Sequence, residues 1–224
     1  MVSATFFTVL IDHPNLYIHS HVHPAMLRRA LIGTCMGLTA FYILNSPFGK
    51  RSGAHINPSV TLVQYKLGNI SFTDAACYVV FQFLGGSAGM FLIYLLLPNM
   101  VAHPQINYII TSPSDEGISV AFILEWLISF LLMTTVLYTN SSKKLSGYTA
   151  TFVALLIAVF ITLEAPYSGM SMNPARTFAS AIVARQWNCF WLYCIAPPLG
   201  MLAAEWFVVK VLKKGLKHVT LHND

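Results

Sequence analysis

The 224-residue chain is strongly apolar: 56% of its residues are hydrophobic and only 9% are charged, whereas a soluble domain carries about 25% charged residues. This composition excludes an ordinary soluble domain and predicts a polytopic membrane protein. The net charge of +5 does not indicate nucleic-acid binding, because the Lys and Arg residues lie in short connectors and at the C-terminus. The four cysteines show no Cys-x-x-Cys spacing, so neither a disulfide framework nor a zinc site is expected.

Long apolar stretches, taken in chain order, predict the membrane spans. Each has roughly the 17–25 residues that cross a bilayer, and they are Pro24–Asn45, Phe72–Leu97, Ile118–Tyr138, Tyr148–Glu164 and Phe190–Leu212. Three shorter helices, each about half a membrane long, are predicted at Val2–Ile11, Asn57–Lys66 and Asn173–Val183. The expected fold is an all-α membrane protein with six spans, the first of them truncated, and two re-entrant half-helices.

The two halves of the chain repeat the same order of elements. Asn57 and Asn173, which begin the half-helices, lie 116 residues apart. Three spans in each repeat is an odd number, so the second copy must be inverted in the membrane. We expect a single domain over residues 1–224, with internal repeats at about 1–97 and 118–212.

The charges predict the orientation. With the C-terminus in the cytoplasm, nine of the thirteen Lys and Arg residues follow the positive-inside tendency; they are Lys50, Arg51, Lys66, Lys143, Lys144, Lys210, Lys213, Lys214 and Lys217. Arg28 and Arg29 would lie outside and are exceptions. The connector 98–117 contains Asp115 and Glu116 and no Lys or Arg, as expected of an external loop.

Each Asn-Pro motif is a predicted helix start at membrane depth, because Asn is a strong N-cap and Pro is favoured at the first helical position. The two tripeptides are Asn57-Pro58-Ser59 and Asn173-Pro174-Ala175. Two half-helices of about 15 Å that enter from opposite faces add to one hydrocarbon thickness of about 30 Å. Their N-termini would meet near the midplane. The irregular loops before them can exist only inside protein or beside a water-filled cavity.

That meeting point would have a distinct electrical character. Each helix N-terminus carries about half a positive charge, so the pair disfavours a cation. The amide groups of Asn57 and Asn173 can donate to a passing oxygen. A water that accepts from both cannot continue a hydrogen-bonded proton wire, and the carbonyls before each Asn offer acceptors. Arg176 would add a donor and a positive barrier. The pattern predicts a path for neutral, hydrogen-bonding molecules that rejects ions and protons.

The segments GAHINPSVT, from Gly53, and SGMSMNPARTF, from Ser168, resemble the two signature loops of the aquaporin (major intrinsic protein) family. The resemblance covers nearly the whole chain and is closest to prokaryotic-looking members. It implies a homotetramer with one pore per protomer and passive flow of water, and in some members of glycerol or other small neutral solutes. It also implies that His55 is the histidine of the first loop and that Glu125 holds the second loop by accepting its backbone N–H groups.

The resemblance further implies a selectivity filter of four residues. By counting from the Asn-Pro sites, these are Arg176, Met170, Ile161 and either Gly37 or, if the first loop holds one extra residue, Met36. The strict water-selective pattern has an aromatic at this last position and a His in place of Ile161. The apolar Ile161 favours solutes with an alkyl face, such as glycerol. The long Met170 side chain, in contrast, can fill the space in the filter that such a solute would need. Selectivity between water and glycerol therefore stays open.

The first span departs from the family pattern. When the segment from Glu125 is aligned with the N-terminus, Met1 falls just after the expected partner of that glutamate. Either the start codon is assigned too late or the first repeat is held less firmly. We favour an upstream start that includes an in-frame Glu.

Several other polar residues have weaker functional alternatives. A group of histidines in the first external loop could bind a metal on an extended segment, but a solvated loop is preferred; they are His13, His19, His21 and His23. Glu164 could pair with a backbone donor or an Arg, or be a satisfied structural carboxylate. Glu205, in the last span, is expected to face protein.

The leading interpretation is a passive water channel in the lipid bilayer of the cell (inner or plasma) membrane, with glycerol-like solutes as further candidates. The alternative is a non-conducting or poorly conducting protein of the same family. A secondary transporter also uses inverted repeats and broken helices, but it needs coupling-ion ligands at the midplane. No nucleophile–base pair, metal tetrad or phosphate loop is visible, so neither an enzyme nor a cofactor or nucleic-acid partner is expected.

Overall fold

The computed structural model describes residues 1–212, and these fold into twelve α-helices without a β-strand. In chain order the helices are α1 Val2–Asp12, α2 Tyr17–His21, α3 Ala25–Asn45, α4 Pro47–Ser52, α5 Pro58–Lys66, α6 Phe72–Leu96, α7 Pro98–Val101, α8 Ile118–Asn140, α9 Thr149–Leu163, α10 Ala165–Ser168, α11 Pro174–Ala184 and α12 Phe190–Trp206. A π-helical segment, Phe207–Val211, continues α12, and 3-10 turns occupy Asn107–Ile109 and Ser146–Tyr148. Lys213, Lys214 and Lys217, which are predicted to be cytoplasmic, lie outside the described residues.

The predicted helices are confirmed with boundaries that differ by no more than two residues, if the π-helical continuation of α12 is counted with that helix. Helix α12 alone ends at Trp206, six residues before the predicted Leu212. Five helices are long and apolar enough to cross a membrane, namely α3, α6, α8, α9 with its preceding turn, and α12 with its π-helical continuation. The shorter apolar helix α1 has 11 residues. The loops before the Asn-Pro sites are less irregular than predicted, because they contain the short helices α4 and α10. Ser46 caps α4 by accepting the N–H of Gly49 at 2.9 Å.

Glycines let two pairs of long helices approach closely. On α3, a Cβ at Gly33 would lie 2.6 Å from the carbonyl oxygen of Ala158 on α9. One turn later, a Cβ at Gly37 would lie 2.5 Å from the carbonyl oxygen of Ala154. On α12, a Cβ at Gly200 would lie 2.2 Å from a backbone oxygen of α8. Small residues at such crossings are typical of helix association in membranes.

The two half-helices lie among these long helices. Both α5 and α11 pack against α6 and α12, and they also contact each other. Helix α1 packs against α3 and α6. The half-helices thus have equivalent surroundings in the two halves of the chain, and this agrees with the inverted repeat expected from the sequence.

Arg28, one of the exceptions to the charge pattern, is a buried structural residue. Its Nε atom donates to the Asp12 carboxylate at 2.5 Å. Its Nη1 atom donates to the carbonyl oxygens of Val22, at 2.9 Å, and His23, at 2.8 Å. Because these bonds close the loop between α1 and α3, the Arg28 charge is neutralised inside the fold.

Glu205 faces protein, as the sequence predicts for a carboxylate in the last span. Its side chain is mostly buried, and its Oε2 atom lies 2.6 Å from the Nζ atom of Lys66. Lys66 is the last residue of α5, so the ion pair joins the C-terminal end of the first half-helix to α12.

The glycine contacts predict a stability difference between two Gly→Ala substitutions in long helices. Gly37→Ala should lower the stability of the folded protein by about 1–3 kcal/mol, since the new methyl group meets the α9 backbone. Gly85→Ala on α6 is the matched control, because a Cβ there has no heavy atom within 4 Å. Both variants gain the same helix propensity. Thermal unfolding in detergent measures the effect, and equal midpoints for the two variants would contradict the close α3–α9 contact.

Candidate functional site

The two asparagines cap the half-helices as the sequence predicts. The Oδ1 atom of Asn57 accepts the N–H of Ser59 at 2.8 Å, and that of Asn173 accepts the N–H of Ala175 at 3.0 Å and of Arg176 at 3.3 Å. In each helix a proline, Pro58 or Pro174, occupies the first turn. Because the oxygen of each amide is used as the cap, its NH₂ group must point away from the helix.

The amide NH₂ groups join the two loops reciprocally. Asn57 donates to the carbonyl oxygen of Met172 at 2.7 Å, and Asn173 donates to the carbonyl oxygen of Ile56 at 2.9 Å. Each acceptor is the residue immediately before the other asparagine. This pairing is not predicted from the sequence, from which these amides and carbonyls are expected to bind passing molecules alone. An NH₂ group has two N–H donors, so one donor of each asparagine is used to join the loops.

Ser59 and Ala175, the third residues of the tripeptides, are both buried. The Ser59 Oγ atom has no hydrogen-bond partner within residues 1–212. Both positions therefore need a small side chain.

The second loop has a backbone that ordinary residues adopt only at a cost. Gly169, Met170 and Met172 have positive φ angles of 82°, 48° and 53°. A Cβ at Gly169 would also lie 2.9 Å from the Cα of Thr111, so this position requires glycine. Each non-glycine residue held at positive φ costs about 1–3 kcal/mol, which the surrounding structure must offset.

Glu125 on α8 supplies that support, as the family resemblance implies. Its Oε1 atom accepts the N–H of Ser171 at 2.6 Å, and its Oε2 atom accepts the N–H of Met172 at 2.8 Å. A third donor is the hydroxyl of Ser168, at 2.7 Å from Oε1. Glu125 is fully buried. Hydrogen bonds to a charged group contribute about 1.5–3 kcal/mol each, so this carboxylate can hold the loop in its unfavourable conformation.

Ser168, at the end of α10, has two further partners that sequence reasoning did not identify. The Tyr193 hydroxyl donates to its carbonyl oxygen at 2.6 Å. The Glu164 carboxyl group lies within hydrogen-bonding distance of its Oγ atom. Glu164 therefore pairs with a hydroxyl group and not with an Arg or a backbone donor. Its other oxygen, Oε2, has no partner among the described residues, so it is not the fully satisfied structural carboxylate that the sequence suggested.

The first loop is held from α6 instead of by a carboxylate. The Gln82 side chain donates through Nε2 to the carbonyl oxygen of His55, and also to the Thr61 hydroxyl at 2.9 Å. The ring of His55 lies 5.0 Å from that of Tyr78. The hydroxyl of Tyr78 donates to the carbonyl oxygen of Ser52 at 2.8 Å. Gln82 is a single polar residue inside an apolar span, and this feature of the sequence could have marked it as a loop contact.

Arg176 is held by the connector 98–117. Its Nη1 atom donates to the carbonyl oxygen of Ile109 at 2.8 Å. In the same region the hydroxyl of Thr177 lies 2.9 Å from that of Thr111 and 2.6 Å from that of Ser171. The connector 98–117 is thus bonded to Arg176 and Thr177 on α11, and Thr177 in turn contacts Ser171 of the second loop.

Two of the other predicted filter residues share one apolar cluster. Met170 is only 8% exposed, and Ile161 packs against the same cluster. Gly37, in contrast, faces the backbone of α9 at Ala154, where a Cβ has no room. Of the two positions that counting leaves open, this contact disfavours Gly37, and the partly exposed Met36 remains.

The histidines His13, His19, His21 and His23 do not form a metal-binding group in the described part of the chain. Among residues 1–212 there is no group of three or more His, Cys, Asp or Glu side chains arranged to hold a metal ion. His13 is buried, its Nδ1 atom accepts the N–H of Asn15 at 3.3 Å, and its ring lies 4.7 Å from that of His103. Burial, and then the neighbouring His103 and His19, lower the pKa of His13 below its usual range. His13 therefore has a structural environment in the loop after α1.

Known proteins are similar to this chain in sequence and in fold. The family model of the Major intrinsic protein family matches residues 2–208. Aquaporin-4 of Bos taurus is 30% identical over 81% of this chain and 56% of its own length, so the chain spans about half the length of that relative. Aquaporin NIP1-2 of Arabidopsis thaliana is 27% identical over 98% of this chain and 76% of its own length.

A solved structure has the same fold. The X-ray structure of the aquaglyceroporin from Plasmodium falciparum superposes with a TM-score of 0.74 at 21% identity, and the match covers 94% of this chain and 93% of that one. The relatives named here come from an animal, a plant and a protozoan, and the prokaryotic likeness stays a prediction. With a family match over almost its whole length and the corresponding fold, this multi-pass membrane protein belongs to the major intrinsic protein (aquaporin) family.

Proposed function

We propose that this protein is a passive transmembrane water channel that excludes ions and protons. The observation that carries the proposal is the joined pair of asparagine caps, where two helix N-termini meet inside the bundle. Each amide retains a second N–H group that can donate to a water oxygen. The two positive helix ends disfavour a cation at the same place.

Arg176 strengthens the barrier in this proposal. Arg176 is in the first turn of α11, and its guanidinium group is anchored on the external connector through Ile109. We assign it to a selectivity filter with Met170, Ile161 and, in view of the α3–α9 contact, Met36. A fixed cation beside two helix N-termini repels protonated water and metal ions and leaves donors for neutral solutes.

Glycerol is the second candidate permeant, and the apolar pair Met170 and Ile161 favours it because an alkyl backbone can pass along them. A non-conducting member of the family is the alternative, since the Met170 side chain is mostly buried and can fill the filter. A secondary transporter has less support. It needs carboxylates or other ion ligands beside the path, whereas the groups at the meeting point are amides, carbonyls and a fixed cation.

The setting of the channel also belongs to this proposal. We place the protein in the cell (inner or plasma) membrane with a cytoplasmic C-terminus, as the charge distribution predicts. We expect a homotetramer, one domain with repeats at about residues 1–97 and 118–212, and neither enzymatic activity nor a cofactor.

Water flux through proteoliposomes tests the proposal. Stopped-flow light scattering should show faster shrinkage in an impermeant osmolyte than protein-free liposomes of equal size, with the weak temperature dependence of a channel. The flux should not change when a sodium or proton gradient is imposed. Shrinkage no faster than in protein-free liposomes would exclude the water channel and leave the non-conducting alternative.

Met170→Ala tests the filter assignment. Removing this side chain should raise glycerol permeability about tenfold, equivalent to a barrier lower by about 1.4 kcal/mol, and change water permeability less. Alanine is chosen because glycine would also relax the positive φ at this position. The matched control is Met26→Ala at the start of α3, where the side chain is 55% exposed. An equal effect of both substitutions on glycerol flux would refute the assignment.

Glu125→Gln tests the support of the second loop. The amide NH₂ of the new side chain would face a backbone N–H of Ser171 or Met172 and leave it without an acceptor, at a cost of about 1–3 kcal/mol. We expect a lower unfolding temperature and lower water permeability per folded protein. Glu116→Gln, on the exposed external connector, is the control and should change neither quantity. If Glu125→Gln behaves like that control, the carboxylate does not hold the loop.

A further inference from the structure

The Ser168 hydroxyl lies between two carboxyl groups. Its Oγ atom is 2.7 Å from Oε1 of Glu125 and is also within hydrogen-bonding distance of Oε1 of Glu164. A third contact comes from the N–H of Met170, which donates to Oγ at 3.2 Å. Ser168 is fully buried and Glu164 is 5% exposed. Solvent water therefore does not screen the two carboxyl groups from each other.

The number of hydrogens available for these contacts determines the ionisation of Glu125 and Glu164. A serine hydroxyl has one hydrogen to donate and two lone pairs that accept. If both glutamates were ionised, the single hydrogen could serve only one of them, and the other carboxylate would face a lone pair. Two like charges that share one buried site also disfavour each other's ionised form. One carboxyl group must therefore carry a proton.

The hydrogen bonds identify which carboxyl group is protonated. Glu125 receives three donors, from Ser168, Ser171 and Met172, and its Oε1 atom already accepts two of them. An ionised carboxylate suits such a set of donors. Glu164 has only the Ser168 contact, and its Oε2 atom has no partner in the described part of the chain. An unpaired buried oxygen costs far less in a neutral acid than in a carboxylate.

We propose that Glu164 is a neutral carboxylic acid that donates its proton to Ser168 Oγ and, through this hydroxyl, positions the loop that carries Met170. In this arrangement Ser168 Oγ accepts from Glu164 and from the Met170 N–H, and donates to Glu125. The one donor hydrogen and both acceptor lone pairs of the Ser168 hydroxyl are then used. Glu164 is thus a positioning residue, and its effect on Met170 passes through Ser168.

The charges around Glu164 act in opposite senses. The Glu125 anion on α8 disfavours ionisation of Glu164, whereas the Arg176 cation on α11 favours it. Tyr193 on α12 donates to Ser168 and is neutral in that role. Arg29 on α3 uses its Nε atom on the carbonyl oxygen of Thr162, two residues before Glu164. With Glu164 neutral, Glu125 is the anion left in this group, and its charge is equal and opposite to that of Arg176.

Infrared spectroscopy of the purified full chain tests where the proton lies. At neutral pH, the wild-type spectrum should contain a protonated-carboxyl C=O band that shifts in D₂O. The band should be lost in Glu164→Gln and retained in Glu116→Gln. Absence of the band in the wild-type protein overturns the proposal, and this measurement needs no variant to fold. Loss of the band in Glu125→Gln together with its persistence in Glu164→Gln would place the proton on Glu125 and also overturn it.

A comparison of Glu164→Ala with the conservative variant Glu164→Gln tests the positioning role of Glu164. Glutamine can still donate an N–H to Ser168 Oγ, whereas alanine cannot. We expect Glu164→Ala to change the ratio of glycerol to water permeability at least about threefold, or about 0.6 kcal/mol, and Glu164→Gln to change it less. Equal ratios in the two variants would overturn the positioning role. This second test rests on the proposed function, because it requires a conducting protein. The infrared test does not, so it would still show where the proton lies if the protein conducted neither water nor glycerol.

Discussion

The reciprocal bonds between the two asparagines and the opposite loop carbonyls are the contacts on which the site depends. Each asparagine closes its own half-helix with its oxygen and holds the other loop with its nitrogen. One amide group therefore performs two tasks, since its acceptor and donor ends point in opposite directions. Neither half-helix can shift without breaking a cap or a cross-loop bond, and this couples the two halves of the chain.

The two loops are supported unequally. Glu125 gives the second loop a charged acceptor for two backbone N–H groups, and Ser168, Glu164 and Tyr193 extend that support. The first loop relies on neutral donors from α6, chiefly Gln82. Both loops contain residues at positive φ, which are Gly53 and Ala54 in the first loop and Gly169, Met170 and Met172 in the second. The more strongly supported second loop thus has one more non-glycine residue in this conformation.

Sequence reasoning recovered the helices well because each long apolar stretch and each Asn-Pro cap is a local signal. The types and spacings of Asn57, Asn173, Glu125 and Arg176 match the family motifs and singled these residues out; their roles in a pore stay predictions. Sequence reasoning missed Gln82 and Tyr193, since a single polar residue inside an apolar helix has no periodic pattern to reveal which loop it contacts. It could not decide between Gly37 and Met36, because one extra loop residue shifts the count, whereas the direction of a Cβ atom settles which residue faces α9.

By itself the sequence determined the membrane class, the repeat and the two helix starts, because hydrophobic length and N-capping act over a few neighbouring residues. Only the tertiary structure decided which carbonyl each asparagine reaches, that Arg28 is neutralised by Asp12, and that Ser168 stands between two carboxyl groups. These contacts join residues from different helices, and their geometry depends on how closely the helices pack. The sharing of one hydroxyl hydrogen, in particular, is visible only when three side chains are placed together.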